Sequence, residues 1–238
     1  MHIRQFGSIY EAGQAKEPGF ECGDQDTFHL GDTVPGKEIQ WVELSSGLLV
    51  ADRCVCTDIS WATLNKAGYI FGRIVHIDGK DYICRSLKLG ARGGMLNEWD
   101  DALDECGVDD DLWHWKQHFF FGQETSKKNA VTFCVVRGGM QSSRDRFKIY
   151  AGGAGKNKGF RPVLEPLCSD APEILVGSNI KAFGPAGESF EGRLADFDSY
   201  DLVLTCDSIV PRSCAWAKRK GKAVILARDS VIGIRKIL

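Results

Sequence analysis

Arg137-Gly138-Gly139, a polar run, and then Gly159-Phe160-Arg161-Pro162-Val163-Leu164 divide this chain into two sets of signals. The glycine pair lets the backbone turn where other residues are strained, and Gly-Phe-Arg launches a short apolar strand. The strand and helix signals before this stretch belong to one body. After it, Glu165-Pro166-Leu167-Cys168-Ser169-Asp170-Ala171-Pro172 reads as a linker, because proline and small polar residues break both periodicities.

A chain of 238 residues suits one large or two modest domains, at roughly 100–200 residues each. With 43% hydrophobic residues it can bury a substantial core. The net charge of -2 exerts no global pull on nucleic acid or membrane, so such a role must be local. The longest apolar runs fall far short of the roughly 18 residues a membrane span needs. The opening Met1-His2-Ile3-Arg4-Gln5 lacks the charged-then-apolar build of a secretory signal. Nine cysteines, an odd count without zinc or thioredoxin spacing, read as reduced and mostly buried thiols of a cytoplasmic protein, with disulfides as the alternative.

Residues 1–37 carry several glycines and little periodicity, and read as an irregular N-terminal arm with a strand near 28–30. Short apolar runs at 39–42, 48–50 and 54–56 predict strands. Ser60 predicts a capped helical turn. Strands are expected over 69–77 and 82–84, joined by the turn Asp78-Gly79. Asn97 caps the clearest helix, over 97–106, with Trp99, Ala102, Leu103 and Cys106 on one face. Its surplus acids read as a solvated face, since no metal-loop spacing accompanies them. Trp113, Trp115 and Phe119 to Phe121 form a core plug or, alternatively, a ligand platform. His114 and His118 stand four apart without a third ligand, so no metal is expected.

Residues 131–136 predict a strand entering Arg137-Gly138-Gly139. The following segment begins Met140-Gln141-Ser142-Ser143-Arg144-Asp145-Arg146 and offers Gln141, Arg144, Arg146, Lys148 and Tyr150, then Lys156 and Lys158. It is either a partner-binding loop or a solvated one. The glycines from Gly152 to Gly159 lack the spacing of a phosphate-binding loop.

The Arg-Gly-Gly, loop and Gly-Phe-Arg arrangement resembles the closing segment of C-type-lectin-like domains of the formylglycine-generating, sulfatase-modifying kind. Catalysis in that family needs two cysteines in the loop after Arg-Gly-Gly, to hold copper. No cysteine lies between Gly139 and Cys168, so a catalytic site and a cofactor are not expected. The pattern Ser60-Trp61, Gly68-Tyr69-Ile70-Phe71-Gly72, Ile77-Asp78-Gly79, Asn97-Glu98-Trp99-Asp100 and Trp113-His114-Trp115 also resembles phage and prophage proteins. That resemblance implies a mobile-element context inside a bacterial host cell.

The second set reads as short strands. Residues 179–183 are closed by Gly184-Pro185-Ala186-Gly187. Residues 189–197 follow with a bend at Gly192, then 200–204, 223–226 and 231–237. Five strands of this spacing, with Gly187, Phe190, Gly192, Leu194, Phe197-Asp198, Tyr200 and then Arg228-Asp229-Ser230-Val231, resemble the Sm-like fold of the bacterial Hfq type; an unrelated small barrel is the alternative. The resemblance implies a homo-oligomeric ring, made by pairing one subunit's fourth strand with the next subunit's fifth. It also implies RNA or nucleotide binding by residues at the positions of Ser199, Tyr200, Arg228 and Asp229. Asp229 departs from the family, which is basic there. Lys218-Arg219-Lys220, beside Trp216, is the densest basic run and the best local phosphate contact.

The expected architecture is thus α+β. An arm over 1–37 is followed by a C-type-lectin-like domain over 38–167, a linker over 168–177, and a five-stranded Sm-like, oligomerising β-barrel over 178–238. The expected function is non-enzymatic binding of RNA or a small nucleotide. The alternative is a protein-interaction scaffold, or an inhibitor of a host defence protein, acting through the lectin-like loop.

Overall fold

A computed structural model describes residues 2–25, 27–92, 95, 97–139 and 141–237. Strands dominate, and the helices among the described residues are few and short. The chain separates into a first unit, Met1–Glu165, and a second, Pro166–Leu238.

The first unit opens with β1 (His2–Phe6), β2 (Ser8–Glu11), β3 (Gln14–Lys16), β4 (Phe20–Glu21) and β5 (Phe28–Gly31). The segment expected to be an irregular arm is therefore built into the body. Ile9, Phe28 and Leu30 are buried in the same cluster as Trp41, Tyr69 and Phe160. Its strands are two to five residues long and β1 is largely exposed, so they show no alternation to read.

Next come β6 (Ile39–Glu43), β7 (Leu49–Ala51), β8 (Cys56–Thr57) and helix α1 (Trp61–Lys66). Ser60 caps α1 by accepting from the Thr63 N–H. The strand expected over 69–77 starts only at Arg73, because Gly68 and Gly72 both hold positive φ. The hairpin β9 (Arg73–Ile77) and β10 (Lys80–Ser86) turns at Asp78-Gly79. Helix α2 (Glu98–Cys106) is capped by Asn97, and α3 (Asp110–Trp113) follows. Strands β11 (Phe119–Lys128), β12 (Val131–Gly138), β13 (Arg146–Tyr150), β14 (Lys158–Phe160) and β15 (Pro162–Pro166) complete the unit.

The sheets run β1-β6-β7-β15-β10-β9, β13-β12-β11-β14-β8-β4 and β3-β2-β5. Trp99, Trp113, Trp115 and Phe120 are all buried, so the aromatic cluster is core. Two arginines of the opening stretch are core as well. Arg137 reaches Asp100 at 3.0 Å and the Arg144 carbonyl. Arg161 is fully buried, donates to the Trp113 carbonyl and lies over the rings of Trp99 and Phe120, 4.9 and 4.5 Å from their centroids. At Gly138, φ is +76°, and a side chain would strike the His118 and Trp115 carbonyls.

The second unit contains α4 (Pro172–Leu175), β16 (Asn179–Phe183), β17 (Ser189–Phe197), β18 (Asp201–Thr205), β19 (Ala217–Lys220), β20 (Ala223–Ala227), a 3-10 turn (Arg228–Ser230) and β21 (Gly233–Lys236). The segment expected as a linker over 168–177 belongs to this body. Leu175 is fully buried, and the Cys168 N–H donates to the Ile234 carbonyl at 2.6 Å. The sheet has six strands, not five, in the order β19-β20-β18-β17-β16-β21. Gly192 is required where β17 bends, since a Cβ there would lie 2.6 Å from the Thr205 carbonyl.

Candidate functional site

One end of the second unit gathers four of the residues singled out in the sequence. Asp198 accepts at 2.7 Å from the N–H groups of both Tyr200 and Asp201, which fixes the turn between β17 and β18. Those two donors hold the Asp198 carboxyl below its ordinary value. Tyr200 then projects outward, 78% exposed, and Ser199 is exposed beside it. The Arg228 N–H donates to the Tyr200 carbonyl at 2.7 Å, and Arg228 Nη1 donates to the Asp198 carbonyl at 3.0 Å. The 3-10 turn thus locks against the Asp198 turn, with Asp229 exposed next to Arg228. A cavity of about 220 Å³ adjoins them, lined by Arg228, Leu202, Val231, Ile234, Pro172 and Cys168.

The charge of this corner is mixed. Arg228 stands among Asp198, Asp201 and Asp229, a setting that suits a hydrogen-bonding planar ring better than a bare phosphate. Lys218, Arg219 and Lys220 are not in it. They form β19, with Lys218 opposite Ile225 and Lys220 opposite Ala223. Trp216 lies level with Ala227, so at about 3.3 Å per residue Lys218 and Lys220 sit roughly 7 and 13 Å further along the strand. Both lysines are exposed on the face opposite buried Ala217. Arg219 turns to the Ser208 carbonyl and lies 4.0 Å from Asp207. Trp216, expected beside the basic run, is instead a core residue. It packs edge-on against Phe190 at 5.2 Å and leaves no room for a side chain at Gly184.

In the first unit, the expected partner-binding loop is partly consumed by the fold. Met140 lies outside the described residues. Arg144 pairs with Asp104 at 2.5 Å and Asp100 at 3.6 Å. Arg146 donates to the Gly90 and Arg92 carbonyls, at 3.1 and 2.6 Å. Lys156 pairs with Glu21, and Lys158 caps the carbonyls of Gly153 and Ala154. Gln141, Lys148 and Tyr150 remain exposed. Residues 146–150 are an edge strand and not loop, paired only with β12. Tyr150 borders a pocket of about 400 Å³ with Trp61, Asn65 and Val131.

His118 is half-buried, and burial holds its imidazole below the ordinary value. His114 takes the left-handed conformation that ends α3 and faces Asp52 and Arg53, with its Nε2 3.1 Å from the Arg53 guanidinium. Arg53 also holds the buried Asp52 carboxylate at 2.7 Å. Because Asp52-Arg53 reads as a turn in sequence, this buried group was not legible there. No group of three or more metal-ligating side chains occurs among the described residues. Burial pushes the Cys54 thiol up to about 11 and the Cys134 thiol up to about 12, so neither is a ready nucleophile. No helix among the described residues is long and apolar enough to cross a membrane. Compared with protein-family models, curated proteins and solved structures, the chain matches none.

Proposed function

We propose that this chain is a non-enzymatic binding protein whose second unit is an Sm-like barrel taking single-stranded RNA or a small nucleotide. The observation that carries the reading is Tyr200, held out by the Asp198 turn with Arg228 locked behind it. An exposed aromatic on a rigid turn offers a stacking face to any base, at about 1–3 kcal/mol per base. Asp229 supplies an acceptor for a base amino group, and Lys218 with Lys220 supplies phosphate contacts further along the surface. A strand order that wraps β21 onto β16, with a 3-10 turn between the last two strands, supports the Sm-like reading. In the first unit, the Arg-Gly-Gly and Gly-Phe-Arg arginines act as core pins, in keeping with a lectin-like scaffold. A phage-derived protein acting in a bacterial cytoplasm fits this reading.

A second reading places the contact in the first unit, as a protein-interaction scaffold or an inhibitor of a host defence protein. It is favoured by one observation, the exposed edge of β13, where Tyr150 borders the 400 Å³ pocket. Oxidase chemistry of the formylglycine-generating kind has no support, since the segment 140–158 contains no cysteine.

Fluorescence titration with a single-stranded RNA oligomer at two salt concentrations tests the proposal. Tyr200→Ala is expected to weaken binding by about 1–3 kcal/mol with an unchanged salt slope. Replacing Lys218 and Lys220 with Ala is expected to flatten the slope by about 0.7 for each charge lost. If neither change affects RNA or nucleotide binding, the barrel is not the nucleic-acid site and the β13 surface becomes the one to test.

A further inference from the structure

Strand β13 is the outermost strand of its sheet, with β12 on one side of it. No strand pairs with its other side among the described residues. Phe147, Lys148 and Tyr150 are all exposed along it. A further strand would lie about 4.8 Å beyond β13 and would need no second neighbour.

The phase of the ladder identifies the main-chain groups left outside. The Ala151 N–H donates to the Thr132 carbonyl at 3.0 Å, so these two residues face each other as a hydrogen-bonded pair. Bonded and non-bonded pairs alternate along an antiparallel ladder. The next bonded pairs are then Ile149 with Cys134 and Phe147 with Val136. Arg146, Lys148 and Tyr150 fall between them, and their N–H and C=O groups point away from β12. The Gly153 N–H takes the Tyr150 carbonyl at 3.3 Å, which closes the outer row at that end. No hydrogen bond reaches the outward main-chain groups of Arg146 and Lys148 among the described residues.

Successive side chains of a strand alternate between its faces, and the two faces of β13 differ in chemistry. On one face Ile149 packs against the core cluster that holds Cys134 and Val136, and Phe147 meets Phe119 edge-on at 6.4 Å. Phe147 is nevertheless 37% exposed, so the apolar layer is uncovered where the sheet ends. The other face carries Arg146 and Lys148. Arg146 donates to the Gly90 and Arg92 carbonyls, Lys148 is exposed, and no carboxylate pairs with either among the described residues. A second copy of β13 laid on this edge would bring basic side chains together, and like charges across a strand pair are destabilising. The edge therefore discourages self-pairing and favours an acidic strand.

We propose that the outer edge of β13 receives an extended segment of a partner protein as an added strand, with acidic side chains beside Arg146 and Lys148 and apolar ones beside Phe147 and Ile149. This rests on the second reading above, in which the first unit makes the protein contact, and it names what that surface takes. The added main chain supplies partners for the outward groups of Arg146 and Lys148. Its carboxylates answer the two cations, and its apolar side chains cover Phe147.

The test uses the full chain and a fluorescein-labelled hexapeptide of alternating valine and glutamate, titrated at low salt by anisotropy. Hydrogen exchange read by NMR should find the Lys148 and Tyr150 amides fast in the free protein and slowed by the peptide. The Ile149 amide, bonded to β12, should be slow in both. N-methylation of the glutamates should abolish binding of an antiparallel strand, and N-methylation of the valines that of a parallel one. Lys148→Glu should weaken the acidic peptide by about tenfold and favour a valine-lysine counterpart. Lys148 and Tyr150 amides already protected in the free protein would overturn the proposal, assigning the edge to a second copy or to the chain itself. Absence of saturable binding would overturn it as well. Binding that survives both N-methylations would overturn strand addition alone, leaving the second reading in place with a different mode of contact.

Discussion

Arg85 shows how the first unit handles charge that its sheets bury. Its side chain is 4% exposed and bridges Glu98 at 2.6 Å and Glu165 at 2.7 Å. Burial pushes the Glu98 carboxyl up, but Arg85 and the Lys88 N–H more than offset this, so it sits below its ordinary value of 4.5. A carboxyl with a depressed folded value adds stability above its unfolded value, and that stability is lost as pH falls through the folded one. The first unit should therefore weaken as pH drops below about 4.5. Glu98→Gln should flatten this acid limb while lowering stability at neutral pH, because it removes the charge that answers Arg85. Urea melts at pH 7 and at successive acid steps, read by tryptophan fluorescence, check both signs. An acid limb of unchanged steepness in Glu98→Gln would place the titration elsewhere. Arg137 is held by the same logic with one carboxylate, Asp100, whereas Arg161 is held by the Trp113 carbonyl and two ring faces. Nothing in their sequence positions distinguishes pin from ligand.

Legibility varied by element, and the reasons are physical. The helix at Asn97, the hairpin at Asp78-Gly79 and the bend at Gly192 were readable because capping, positive φ and close approach demand particular residues. Strand β19 was not readable. Ala217-Lys218-Arg219-Lys220 has no apolar alternation, and it is a strand because its main chain pairs with β20 while Trp216 anchors it in the core. The aromatic and basic ends of the candidate site were legible as residues, but the distance between them follows from β19 and was not. The strands of 1–37 are illegible in the sequence because they contribute only a few buried side chains each. Those few matter. Ile9, Phe28 and Leu30 are at most 4% exposed, and each is worth about 1.5–3 kcal/mol of burial. Their sum is comparable with the whole stability of a small domain. A chain beginning at Glu38 should thus lose the first unit's cooperative thermal transition and keep that of the second. Calorimetry would show this directly, and two intact transitions would restore the arm.

At the scale of the whole molecule, the second unit's sheet ends decide how copies could join. The ring implied by the Sm-like resemblance pairs a fourth strand with a neighbour's fifth, yet β20 already has β18 on one side and β19 on the other. The open edges are β19 and β21. Joining them would set Lys218, Arg219 and Lys220 near Arg235 and Lys236, and like charges across a strand pair are destabilising. Exposed lysines on an edge are also a common means of blocking such pairing. On the proposed function, an oligomer built through this unit must therefore neutralise its edges, by salt or by a bound polyanion. Raising ionic strength from about 0.01 M to 1 M shortens the screening length from about 30 to 3 Å. Light scattering should accordingly find association increasing with salt, and increasing at low salt when single-stranded RNA is added. Lys218→Glu and Lys220→Glu together should permit association at low salt without RNA, because each replaces repulsion by attraction to Arg235 and Lys236. An oligomer that is stable at low salt without RNA and indifferent to those changes would show that the edges are not the interface.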